Sequence, residues 1–157
     1  MVKLFRMIKL KLLMLEEKVE TVVFHGSDSI FKTFDSKFIG SRTDPGFAGR
    51  GYYFTDNVDT AKQWGKYIYY VRIRLNNPLH ITGISDFIEK SGYEQIPSGL
   101  SPGQHKIFYK KEINRVTDYL IKKGYDGIVW KMSNGSMQYV SYFPEQQCEI
   151  LKIKKSK

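Results

Sequence analysis

Apolar residues fall along the chain in short runs, separated by stretches rich in Gly, Asp and Ser. "ETVVFHG", residues 20–26, predicts a buried strand that ends at His25. The stretch that follows, through Gly49, is rich in Ser, Asp, Gly and Lys, and "DPG" at Asp44 to Gly46 marks a turn. It predicts a long loop, a feature that in small domains is often functional. "RGYYFT" predicts a second strand. Asp56 then caps a short helix, with Asp59 favourably placed near the positive end of its dipole, and Gly65 ends it. "YIYYVRIRL" predicts a third strand, closed by "NNP".

In the second half, "ISDFIEKSG" predicts another short helix and "EQIPSGLSPGQ" a loop. Ser101 and Gln104 form a capping box, with Pro102 at the first helical position. Tyr109, Ile113, Val116 and Leu120 then recur at helical spacing, and Gly124 is the stop. Three strands follow in quick succession: "GIVWK", "QYVSYF" and "CEILKI". Strands, then helices, then strands, without strict alternation, predict an α+β fold with mainly antiparallel sheet. That order argues against a doubly wound nucleotide fold.

The chain has 157 residues, so a single domain over 1–157 with a core of its own is expected. A 41% apolar content argues against wholesale disorder. The one cysteine, Cys148, excludes an internal disulfide framework and a cysteine-built zinc site, and it favours a reducing, cytoplasmic compartment. The formal charge of +9 favours anionic partners: nucleic acid, a dinucleotide or an acidic protein. Clusters lie at Lys3 to Lys11, Lys106 to Lys111 and Lys152 to Lys157, and no recognised nucleic-acid motif accompanies them, so a generic soluble face with a lysine tail at 154–157 is preferred to a dedicated nucleic-acid groove. The basic apolar segment at 1–15 is broken by Lys3, Arg6, Lys9 and Lys11. It is a poor signal peptide and too charged to span a bilayer; amphipathic helix, edge strand and leader ahead of Met7 or Met14 all fit it.

Several residues carry chemistry in more than one reading. Gly46, Gly49 and Gly51 precede a strand, whereas a phosphate-cradling loop follows one and opens a helix, so P-loop mechanics do not apply. They make either a flexible turn or a loop that lets backbone approach a ligand. Alternation puts Tyr52 and Phe54 on a core face and Tyr53 on the other. Tyr53 and Trp64, at the ends of two elements, either pack or sandwich a flat cationic ring. Arg42 and Arg50 flank the glycine loop, as solvated arginines or as a fork for pyrophosphate. Asp126 in "GYDG" makes a turn before a strand. His80 and His105 have no partner pattern.

Taken in order, "FHGS", "GRGYYFTDNVDTAKQWG", "GYDGIVW" and "MQYVSYFPEQ" resemble the ADP-ribosyltransferase superfamily, in its His-Tyr-Glu branch, over about residues 20–153. The small transferase domains of phages and of polyvalent proteins of mobile elements are closest in look. The resemblance implies a split, twisted pair of antiparallel sheets around an NAD cleft, with helices outside. It implies NAD as substrate and no metal. His25 would hydrogen-bond a ribose hydroxyl, the backbone of Gly26 would pair with the nicotinamide carboxamide, and Ser27 would line the same site. Tyr53 and Trp64 would clamp nicotinamide, Trp64 standing where Tyr is more usual.

In the third motif the family's glutamate position matches Gln138, which can hydrogen-bond a hydroxyl but carries no charge. Cleavage of the nicotinamide–ribose bond passes through an oxocarbenium-like state, which a carboxylate stabilises. Glu145 is a reserve carboxylate, beyond Pro144 at the wrong end of the strand. Ser136 stands where arginine-modifying relatives carry a second glutamate, so arginine is not supported as acceptor. The expectation is a mono-ADP-ribosyltransferase with a macromolecular acceptor, protein before nucleic acid, and no membrane. The alternatives are a catalytically weak NAD- or ADP-ribose-binding module of the same fold, an NAD glycohydrolase, and a basic nucleic-acid-binding protein.

Overall fold

A computed structural model describes residues 1–16, 18–39 and 47–156. The "DPG" turn and Arg42 lie outside the described residues. The elements run α1 (Val2–Glu16), β1 (Val19–Ser27), a 3-10 turn (Ser36–Phe38), β2 (Tyr52–Thr55), α2 (Val58–Trp64), β3 (Tyr67–Leu75), β4 (Leu79–Ile81), α3 (Ile84–Ser91), α4 (Pro102–Lys122), β5 (Gly127–Lys131), β6 (Met137–Ser141), α5 (Pro144–Gln147) and β7 (Cys148–Lys155). The class is α+β, as the element order predicts.

The strands form one seven-stranded sheet in the order β4-β5-β6-β2-β1-β3-β7, antiparallel except for the β4–β5 pair. Its halves are nearly separate. Nine residues of β1 pair with β3, yet β1 meets β2 through the single pair Phe24↔Thr55. Beyond that bridge the two strands part. This is the split in the sheet, and it places His25, Gly26 and Ser27 at its margin.

Alternating residues fill a core on each face. On one, α3 and α4 lay Phe87, Ile113, Val116 and Leu120 against Ile81, Ile128 and Val140. On the other, Phe34, Phe54, Tyr69, Val71 and Val129 pack together. Fully burying each large apolar side chain is worth about 1.5–3 kcal/mol, so these two clusters, not helix propensity, hold the elements in place. The Ser101–Gln104 capping box forms as expected, with Pro102 in the first turn of α4, a cap worth about 1 kcal/mol. Asp126 accepts from the N–H groups of both Asn76 and Asn77, so its turn also anchors the end of β3.

Three details differ from the sequence expectation, and a fourth, left open by it, is decided. β1 runs on to Ser27 instead of ending at His25. The cap of α2 is Asn57, whose side chain accepts from the N–H groups of Asp59 and Thr60; Asp56 is drawn away to β6 instead. β4 pairs in parallel with β5 although its three residues give too short a pattern to read. The N-terminal segment is helical, and Val2, Leu4, Phe5, Met7, Ile8 and Leu10 all face solvent beside its cations.

Candidate functional site

The split between β1 and β2 is closed by a side chain. His25 Nδ1 lies 2.7 Å from the carbonyl oxygen of Tyr53. A carbonyl only accepts, so Nδ1 carries the proton and Nε2 is left as an acceptor. Burial drives the His25 pKa below its usual value, and the hydrogen bond to Tyr53 only partly offsets this, so the ring is neutral at pH 7. Phe34, Tyr52, Phe54 and Tyr69 surround it at centroid distances of 5.3, 5.9, 5.5 and 6.2 Å.

That aromatic box is lidded by the start of the long loop. Tyr69 donates through its hydroxyl to the Ser29 carbonyl at 2.7 Å and accepts from the Phe31 N–H at 2.8 Å. Its ring stacks on Phe31 at 4.3 Å. Tyr52 donates to the Asp35 carbonyl at 2.8 Å. The pattern offered a signal for these residues: Phe31 and Phe34 are large aromatics in an otherwise polar loop, where packing against a strand is the economical explanation.

Gly26 sits where α2 crosses β1. A Cβ there would overlap the Ala61 carbonyl and come within 2.9 Å of Trp64 Cβ. Gly65 is as tight, since a Cβ on it would lie 2.6 Å from the Ser27 Cα. Two glycines thus let backbone meet backbone, and they seat Trp64, half-buried, directly beside His25-Gly26-Ser27. Ser27 Oγ accepts from the Ser29 N–H at 3.2 Å and turns the chain out of the strand.

Tyr53 does point away from Phe54, but not into open space. It packs against the α3–α4 core, and its hydroxyl donates to the Gly49 carbonyl at 2.8 Å. Arg50 is committed to α4: its guanidinium donates to Asn114 at 2.8 Å and to Asp118 at 3.2 Å, and its N–H to Thr117 Oγ1 at 2.8 Å. Its side chain is 42% exposed, and these two bonds leave other N–H donors of the fork unused.

Gln138 occupies the middle of the same sheet, half-buried. It faces Thr55 on β2 and Trp130 on β5. Thr55 in turn is the partner of Phe24. One cross-strand row thus runs Trp130–Gln138–Thr55–Phe24, and it places Gln138 two strands from the neighbour of His25. Asp56 holds this register: its N–H donates to the Met137 carbonyl at 3.1 Å and its carboxylate accepts from the Met137 N–H at 3.0 Å. Sequence reasoning missed that clamp. Glu145 is elsewhere: it accepts from the Ser36 N–H at 2.7 Å, and that hydrogen bonding holds its carboxyl below the usual carboxylate range. Among the described residues no group of three His, Cys, Asp or Glu is placed to hold a metal, and no helix is long and apolar enough to cross a membrane.

The end of β1 thus carries the neutral His25 imidazole on one face of the sheet and Gly26 with Trp64 on the other, and Gln138 lies on the row of Phe24, on the Gly26 face. A family model described as "ADP-Ribosyltransferase in polyvalent proteins" matches residues 19–154. No curated protein matches the sequence. A solved structure titled "Crystal structure of an anti-CRISPR protein" aligns at 13% identity, covering 85% of this chain and 96% of that chain, with a TM-score of 0.42.

Proposed function

The chain belongs to the ADP-ribosyltransferase family of polyvalent proteins, and from that premise we propose that it cleaves the nicotinamide–ribose bond of NAD and transfers ADP-ribose to a macromolecular acceptor. The α+β fold, with its sheet split between β1 and β2, is the ADP-ribosyltransferase-like architecture expected from the sequence. The observation that supports the reading is the seating of Trp64 against Gly26, the residue that follows His25, at the end of β1 beside that split.

In this proposal Nε2 of His25 accepts from a ribose hydroxyl, the backbone of Gly26 pairs with the carboxamide, and Trp64 stacks on the nicotinamide ring. Cationic nicotinamide gains from an aromatic face by about 0.5–2 kcal/mol. The C1′–N bond breaks with its electron pair going to nicotinamide, which leaves neutral. The oxocarbenium-like ribose then accepts an electron pair from a nucleophile on the acceptor, and a proton is released as the new bond forms. Gln138 orients a ribose hydroxyl near C1′ but supplies no negative charge and takes no proton. Arg50, held on α4 through two of its donors, offers the remaining ones to the pyrophosphate. A cytoplasmic protein acceptor, not arginine, remains the substrate class favoured.

The test is nicotinamide release from NAD by the purified protein, with and without a mixture of cellular protein and nucleic acid, beside His25→Ala checked for folding by circular dichroism. Release that needs the mixture and is lost in the folded variant supports transfer. Release without any acceptor assigns a glycohydrolase. Gln138 favours one second reading, a module that binds NAD or ADP-ribose without turning it over. NAD binding by calorimetry with no release of nicotinamide is its signature.

A further inference from the structure

One part of the sheet is left open by the fold. α2 covers the outer face of the β1-β3-β7 half only around Gly26 and Ile68. The rest of that face carries Val22, 44% exposed, with half-buried Phe24 and Tyr70. Open faces of antiparallel sheets are normally polar, so two adjacent aromatic rings there call for a reason. Phe24 and Tyr70 are register partners and meet edge to face at 5.0 Å. Lys152, the β7 partner of Tyr70, holds its ammonium 4.4 Å from that ring, and Lys154 holds its own at 5.4 Å.

Charge on this face is segregated. At the far end the acids are neutralised in place: Arg72 pairs with Glu149 at 2.9 Å and Arg74 with Glu20 at 3.0 Å. At the other end, Lys152 and Lys154 are exposed and make no ion pair with a described residue. The one acid there, Asp28, is occupied by the Lys66 N–H at 3.1 Å. The open face thus sets two rings beside two ammonium groups that carry no ion pair, on the β3–β7 side of β1 and away from the split.

We infer that this face, Phe24 and Tyr70 with Lys152 and Lys154, binds single-stranded nucleic acid, bases stacking on the rings and phosphates meeting the lysines. That polymer presents the same alternation, a π-face and an anion in every repeat. An acidic peptide offers the anions without the flat rings, and a double helix hides its bases. The inference stands independently of NAD turnover, since binding is measured with no NAD present.

The test is fluorescence anisotropy of a labelled mixed-sequence DNA strand of about 15 nucleotides, titrated with the whole chain over a series of salt concentrations. Binding is expected to weaken with salt, with a log–log slope of about −1.4 for two phosphate contacts on a single strand. Tyr70→Leu should weaken it about tenfold with the slope kept. Lys152→Gln with Lys154→Gln should cut the slope by more than half, while Lys106→Gln with Lys110→Gln on α4 should leave it unchanged. The lysine pair keeps the test decisive should Tyr70→Leu fail to fold. No binding at low salt overturns the inference. So does equal binding of polyglutamate, a sole dependence on the α4 lysines, or displacement of the strand by NAD.

Discussion

His25 donates through Nδ1 to the backbone carbonyl of Tyr53 at 2.7 Å, so a side chain holds β1 to β2 where their backbone ladder has already ended. Burial, not this bond, keeps the ring from charging; the bond to the carbonyl works the other way. Burial keeps the folded-state pKa below 6.5, so the unfolded chain binds the extra proton first as pH falls. The stabilising contribution is complete above the unfolded value of about 6.5 and is lost as pH drops through the lower folded value. Thermal melts between pH 7.5 and 5 should show a falling melting temperature, flattened in His25→Gln. An identical slope in the variant would mean that the imidazole is not held neutral.

Gly26 is fixed by contact rather than by its dihedral angles. Gly26→Ala puts a Cβ into the Ala61 carbonyl and within 2.9 Å of Trp64 Cβ. Neither is the far end of a flexible side chain, so α2 must shift outward. Overpacking of this kind costs about 1–3 kcal/mol. Urea denaturation should show that loss, together with a change in Trp64 emission in the native state. A variant as stable as the parent, with unaltered emission, would show that α2 does not sit where the backbone contact requires.

The hydroxyl of Tyr69 ties the loop lid down by two bonds, to the Ser29 carbonyl and from the Phe31 N–H. Tyr69→Phe keeps the ring stacked on Phe31 and removes both. The expected loss is about 1–3 kcal/mol, with faster hydrogen exchange at Phe31. Exchange unchanged at that amide would mean that the Phe31 and Phe34 rings alone hold the lid.

Strand and helix positions were legible wherever the pattern was long. "YIYYVRIRL" is β3 residue for residue, and the Ser101 cap and α3 also lie where the sequence puts them. Local chemistry decides such elements. β4 was not legible because its three residues extend only when β5 is beside them. The same limit applies at the site. His25, Gly26 and Trp64 stand out in the sequence, but a tertiary relation makes them neighbours: two glycines, thirty-nine positions apart, letting α2 onto β1. Arg50 was equally visible, and its α4 partners Asn114 and Asp118 lie too far along the chain for spacing to reveal. Asp56 looked like a cap because its competitor, the Met137 N–H, is eighty-one residues away.

Gln138 gives the sharpest discrimination. It lies between Thr55 and Trp130 in a register that Asp56 clamps at Met137. Glutamate has nearly the shape of glutamine and fits a half-buried position whose outer edge reaches water, so Gln138→Glu should fold. If Gln138 lies beside the reacting ribose, the new carboxylate faces a developing cation, and nicotinamide release should rise about tenfold or more. Gln138→Ala removes the amide's hydrogen bonds and should lower release by a similar factor, with NAD binding less affected. A gain in the first variant and a loss in the second would fix this side chain at C1′ and explain a slow transferase by its missing charge. Equal rates in all three proteins, with NAD still bound, would place the reacting carbon away from β6 and return Gln138 to a simple cross-strand partner of Trp130.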